Sequence, residues 1–213
     1  MAYLYLEIDG KVYTVEREGK LTLPREGDPL PFPYRRLWRL PWGEEGVVFA
    51  LPQLPSHPHH WLSKDEVPTH PQASPLLREA VYRSLPRVVA EGIIRQGREV
   101  LLVKASRGLT KGLWSLPGGF LQFGEAPEQT LKRELEEELG VEARVGPLVA
   151  VRAKVGPHSG LHWLFFFYQA HIAGPPRPNP DEISEVRFAP LPEAARLVAD
   201  ETMGGVLEEL SRR

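Results

Sequence analysis

Between Gly119 and Val141 the chain reads G-F-L-Q-F-G-E-A-P-E-Q-T-L-K-R-E-L-E-E-E-L-G-V. Pro127 suits a first helical turn, and Leu131, Leu135 and Leu139 recur every four residues, so the stretch predicts a helix with a leucine stripe facing a core. At about 100° per residue, Glu138 falls about 20° from Leu131, and Glu134 and Glu137 follow at about 60° and 120° on the same side. Three carboxylates thus fan out from the edge of a buried stripe, where clustered anions raise one another's pKa and repel. A divalent cation resolves that conflict, and an all-oxygen donor set selects a hard ion, Mg2+ first and Mn2+ second. Arg133 sits at i,i+4 to Glu137 and can hold its carboxylate. Just upstream, Leu116-Pro117-Gly118-Gly119 supplies a loop where backbone can approach phosphate or metal closely. A charge run of this kind, taken without its flanks, ordinarily means a solvated helix face.

The stretch resembles the Nudix box, G-x5-E-x7-R-E-U-x-E-E-x-G-U with U aliphatic, at Gly119, Glu125, Arg133, Glu134, Leu135, Glu137, Glu138, Gly140 and Val141. The resemblance implies the α/β/α sandwich of the Nudix hydrolases, with a mixed β-sheet. It also implies their Mg2+- or Mn2+-dependent cleavage of a diphosphate joined to another group. By the same resemblance Glu134 and Glu138 are the principal metal ligands, Glu137 is a third ligand or a group behind them, and Glu125 is a weaker or substrate-linked ligand. Arg133 orients the carboxylates. The family's general base is a box glutamate or a carboxylate from a later loop; here the later candidates are Asp181, Glu182 and Glu185. Glu182, at the end of a proline-rich loop, is the first choice.

Substrate signals are weaker. Gly118, Gly119, Lys104 and Phe120 are candidate substrate contacts, and Arg107 and Lys111 are further cations before the Pro-Gly-Gly loop. Phe120, Phe123 and Trp114 could stack on a base, although core packing is expected for two of the three. Pro157 lies sixteen positions after Val141, where ADP-ribose pyrophosphatases of the family often carry a proline, and tilts the expectation toward an ADP-ribose-like substrate. The Ser-Gln-Pro-Trp-Pro-Phe-Pro segment of NADH pyrophosphatases is not present, nor are the coenzyme A and diadenosine polyphosphate patterns. The alternatives are a nucleoside triphosphate pyrophosphatase of the MutT kind and a non-catalytic nucleotide sensor. An intact box and a short stretch after Pro192 speak against the sensor.

Outward from the box, Val88–Ile94 and Glu99–Lys104 predict two strands around a Gln96-Gly97-Arg98 turn. Strands are expected near Leu148–Val155, Leu161–Ile172 and Glu185–Ala189, and a helix from Pro192 to the end. Leu164–Tyr168 is apolar on both faces, as a central strand covered on both sides would be. Towards the start, Leu4, Leu6 and Ile8 alternate with polar neighbours, and Asp9-Gly10 suits a hairpin turn. Eleven prolines between Pro24 and Pro75 leave Val47–Leu51 as the one convincing strand there. Ser74-Pro75 then opens a helix ended by Pro86. Two domains follow from this reading: a small β-rich N-terminal domain over residues 1–85 and an α/β domain over 86–213.

The 213 residues, 42% hydrophobic and 25% charged, suit such a globular pair. A formal net charge of −2 argues against a generic nucleic-acid binder. The absence of Cys excludes disulfides, cysteine zinc ribbons and thiol nucleophiles. No membrane span or leader pattern is present, so the expectation is a cytoplasmic protein acting on a small nucleotide, as a monomer or homodimer.

Overall fold

A computed structural model describes residues 1–40, 45–108, 110–156 and 159–212. The chain divides into two compact units, Met1–Pro86 with Val155–His162, and Arg87–Lys154 with Trp163–Arg213. The segment Val155–His162, which the sequence reading places in the second domain, therefore clusters with the first unit.

The first unit holds β1 (Tyr3–Ile8), β2 (Lys11–Val12), β3 (Val15–Arg17), β4 (Lys20–Thr22), β5 (Tyr34–Leu40), β6 (Val47–Pro52), β7 (Leu62–Ser63) and α1 (Pro75–Ser84). Five of the strands form one sheet in the order β5-β6-β1-β2-β7, and β3 and β4 form a separate hairpin. The Asp9-Gly10 turn joins β1 to β2 with both residues at positive φ. Ser74 caps α1 by accepting the Leu77 N–H, and Pro75 takes the first turn, as the sequence predicts. β5 departs from expectation. Its residues Tyr34–Leu40 are mostly exposed because it is an edge strand, kinked by an irregularity between Arg36 and Trp38, so no alternation marks it.

The second unit contains β8 (Arg87–Gln96), β9 (Glu99–Ala105), β10 (Trp114–Ser115), β11 (Gly118–Phe120), α2 (Pro127–Leu139), β12 (Ala143–Val155), β13 (His162–Ile172), β14 (Ile183–Pro190), α3 (Leu191–Leu197) and α4 (Glu201–Ser211). Its seven-stranded mixed sheet runs β10-β9-β8-β13-β12, with β11 paired to β8 and β14 to β9. β13 lies parallel to β8 and is central, as its two-sided apolar pattern implies. Phe165 and Phe167 enter one core with Leu191, Met203, Val206 and Leu207 of α3 and α4. Tyr168 enters the other with Leu131, Leu135 and Leu139 of α2. A sheet between helices results, the α/β/α sandwich expected.

The C-terminal helix differs from its prediction in being two. Val198 is buried and Ala199 donates its N–H to the Trp114 carbonyl at 3.1 Å, which pulls the chain out of helical geometry. Asp200 then restarts it as a cap, accepting the Thr202 N–H at 2.8 Å. The break comes from a tertiary anchor, so no Gly or Pro announces it. Among the described residues no helix is long and apolar enough to cross a membrane.

Candidate active site

The site forms where α2 faces the short strand β11. β11 runs antiparallel to β8 with Gly118 opposite Glu91 and Gly119 opposite Ala90. Both glycines are required by what lies beside them. Gly118 has φ +149°, and a Cβ there would stand 2.9 Å from Glu91 Cα and 3.0 Å from Glu91 Oε2. A Cβ on Gly119 would run into the Glu134 carboxyl, 2.7 Å from Oε2. In the space so preserved, the Gly118 N–H donates to Glu138 Oε2 at 3.0 Å.

Arg133 organises the opposite side. Its Nε and Nη2 donate to the two Glu125 oxygens at 2.9 and 3.1 Å. Its Nη1 donates to Glu134 at 2.8 Å and to Glu137 at 3.0 Å, and Nη2 also reaches the Phe120 carbonyl at 3.2 Å. The expected Arg133–Glu137 pair is present, but Glu125 is the partner held by two bonds. Glu125 also accepts from Thr130 Oγ1 at 2.7 Å and from the Gln122 N–H. These bonds, Arg133's first, hold its carboxyl down at a pKa of about 2.

The other carboxylates are displaced the opposite way. Burial pushes Glu138 up to about 8, with Glu134, Glu182 and Glu137 adding repulsion against the one favourable bond from Gly118. Glu134 is raised too, because its desolvation outweighs its bond to Arg133. Glu91, on β8, was not anticipated as a site residue. It is 4% exposed, its Oε2 has no hydrogen-bond partner, and burial followed by the charges of Glu138, Asp200 and Glu134 raises it well above the ordinary carboxylate range. A signal did exist. Glu91 is the single charged residue in the run Val-Val-Ala-Glu-Gly-Ile-Ile of a central strand, a placement that costs free energy unless something compensates it.

Of the later-loop carboxylates, Glu182 is ion-paired with Arg107, and its charge acts on both Glu134 and Glu138. Glu185 and Lys104 satisfy each other at 2.7 Å, Lys104 lying 5.5 Å from the Trp114 ring centroid; neither bonds a described box residue. The Asp181 N–H caps on Asn179 Oδ1, and Lys111 closes a turn by donating its N–H to the Gly108 carbonyl. Pro157 lies outside the described residues.

The aromatic expectation needs correcting. Only Trp114 packs against the core; Phe123 is fully exposed and Phe120 is 55% exposed, because β11 is short and its end faces solvent. Phe120 instead begins an aromatic file. Its ring lies 5.6 Å from Trp163, which lies 6.2 Å from Phe165, itself 6.0 Å from Phe167.

Among the described residues no three His, Cys, Asp or Glu side chains are arranged to hold a metal ion as they stand. The chemistry of the donors nevertheless fits a hard cation. They are carboxylate oxygens, and two are raised by burial and mutual repulsion. The buried Glu91 Oε2 lacks a partner beside the same glycine that binds Glu138.

A family model described as the NUDIX domain matches residues 85–210. An "ADP-ribose pyrophosphatase" of Methanocaldococcus jannaschii is 30% identical over 115 residues, 54% of this chain and 68% of that protein. A "NAD-capped RNA hydrolase NudC" of Stutzerimonas stutzeri is 29% identical over 118 residues, 55% of this chain but 41% of that protein. The chain thus spans less than half the length of that relative. Among solved structures, a "MutT NUDIX hydrolase" from Burkholderia pseudomallei superposes with a TM-score of 0.52 at 30% identity, covering 60% of this chain and 99% of that one.

Proposed function

Since the chain belongs to the NUDIX family, we propose that it is a divalent-metal-dependent hydrolase cutting a nucleoside diphosphate linked to a second group, with an ADP-ribose-like substrate favoured. The observation that carries this reading is the set of raised carboxylates, Glu134 and Glu138, pressed against a Gly-Gly strand that has no Cβ to hold them off. Nudix hydrolases generally use divalent metals, and Mg2+ or Mn2+ fits an all-oxygen set. When bound, such an ion neutralises charge developing on a phosphoryl group and polarises the attacking water. Glu134 and Glu138 would hold it.

The remaining roles belong to the protein. Arg133 holds Glu134 and Glu137 by its Nη1, and its bonds to Glu125 fix the guanidinium. Glu182 is the proposed general base: its charge already acts on both Glu134 and Glu138, and it needs only to leave Arg107 to accept a proton from water. The exposed Phe120 beside Trp163 offers an aromatic face for a base. Its backbone joins it directly to Gly119, so a base stacked there would be tethered next to the diphosphate.

The name of the Methanocaldococcus jannaschii relative favours ADP-ribose. A diphosphate flanked by two groups offers binding energy on both sides that a triphosphate lacks. The NudC-named relatives support a second reading, a dinucleotide such as NAD, free or at an RNA end. Steady-state kcat/KM for ADP-ribose, NAD, NAD-capped RNA, ATP and GTP with Mg2+ or Mn2+, products resolved by chromatography, decides among them. ADP-ribose giving two monophosphates is expected to lead. A triphosphate ahead by tenfold, about 1.4 kcal/mol of transition-state binding, would replace this reading with a triphosphatase.

A further inference from the structure

Glu91 poses a problem the box does not solve. A carboxyl in the buried stretch of a central strand, with one oxygen bonded to nothing, carries a desolvation cost that native proteins rarely leave uncompensated. The charges around it make the problem worse, since Glu138, Asp200 and Glu134 are all acidic. The cation that faces Asp200, Lys154, is engaged in that ion pair. Glu91 therefore needs a partner from outside the polypeptide.

Its position says what kind. Glu91 stands opposite Gly118 in the β8–β11 ladder, and its Oε2 comes so close to that glycine that a Cβ would lie 3.0 Å away. The N–H of the same Gly118 binds Glu138. Two carboxyls, one from a strand and one from a helix, thus approach a single glycine. With both carboxyls ionised, a neutral N–H donor would satisfy one lone pair and leave the mutual repulsion intact. A divalent cation answers both.

We infer that Glu91 is a further carboxylate ligand of the divalent ion held by Glu134 and Glu138, a strand-borne donor outside the box helix. This rests on the metal-dependent reading above, and the test separates the two. Mn2+ binding is measured by electron paramagnetic resonance of the free ion for the whole chain, wild type, Glu91→Gln, Glu91→Asp and Glu138→Gln, with circular dichroism to confirm folding. Glu91→Gln is expected to weaken Mn2+ about tenfold or more, the scale seen when groups supporting a metal site are removed. Glu91→Asp, which retracts the carboxylate by one methylene, is expected to weaken it less and serves alone if the Gln variant does not fold. The metal-free melting temperature of Glu91→Gln should equal or exceed that of wild type, because an unpaired buried carboxyl has been removed; a purely structural role would lower it. If Glu138→Gln weakens Mn2+ while both Glu91 variants bind as wild type does, Glu91 is not a ligand, and a rise only in KM for the nucleotide would make it a substrate contact. If Glu138→Gln also binds Mn2+ normally, the metal reading itself falls.

Discussion

The two ends of the carboxylate cluster are built from the same residue type and behave oppositely. At one end Glu125 is closed off: Arg133, Thr130 and a backbone N–H saturate it, and its pKa sits at about 2. At the other end Glu138 has one backbone bond and a pKa of about 8, and Glu91 has an oxygen with none. The difference teaches how one motif divides its labour. On the proposed reading, saturated carboxylates hold geometry, whereas starved ones await a ligand that supplies the missing positive charge.

The largest consequence expected is at the starved end. Glu138→Gln or Glu134→Gln keeps the shape and removes a proposed ligand, so turnover should fall by at least about two orders of magnitude with the fold intact. Next come the adjacent glycines, which should part company. Gly119→Ala meets only the movable end of Glu134, so it should displace that carboxyl and cost about tenfold or more in kcat with little loss of stability. Gly118→Ala meets the Ala90 carbonyl and an unfavourable φ, so thermal melting should drop for that variant first. Equal melting temperatures and equal rates for the two would remove the distinction drawn between them.

Glu125→Gln should do less than either, a few-fold in kcat, because Arg133 keeps Glu134 and Glu137. Glu182→Gln should exceed Glu185→Gln, because both are ion-paired but only the charge of Glu182 acts on Glu134 and Glu138; equal small effects on kcat would return the base to the box helix.

The pH dependence of stability sharpens the contrast. Glu138 has a folded pKa raised from 4.5 to about 8, so the metal-free folded state binds more protons than the unfolded chain across that interval. Its contribution is full below the unfolded value and is lost as pH rises through about 8. Glu125 runs the other way: its contribution is present above 4.5 and is lost as pH falls through about 2. Calorimetry without metal should therefore find melting falling from pH 5 to 8.5, less steeply in Glu138→Gln, and Glu125→Gln should flatten the acid side. A metal-free melting temperature that rises over pH 5 to 8.5 with Glu138 present would contradict this assignment.

Much of the second unit was legible because β8, β9 and β13 carry buried runs and α2 carries a stripe, so sequence pattern and burial coincide there. The edge strand β5 was not, since one exposed edge imposes no alternation on Tyr34–Leu40. The break between α3 and α4 depends on the Trp114 carbonyl, a contact from a residue far away in sequence. In the site, the relative angles of the helix-borne glutamates were readable from their spacing, because one helix fixes them; their proposed roles came from the resemblance to the box. Glu91 and Asp200 come from other elements: the pairing of β8 with β11 sets Glu91 opposite Gly118, and the charge of Asp200 acts on Glu91.

The claim beneath all of this is that chemistry depends on the starved carboxylates and a cation they hold. Hydrolysis of ADP-ribose by wild type, Glu138→Gln and Glu125→Gln, each with saturating Mg2+ and again with excess chelator, tests it most directly. The account predicts wild-type activity abolished by the chelator, a loss of about a hundredfold or more in Glu138→Gln with Mg2+, and only a few-fold loss in Glu125→Gln. A chelator-resistant wild type, or a Glu138→Gln as active as Glu125→Gln, would contradict it.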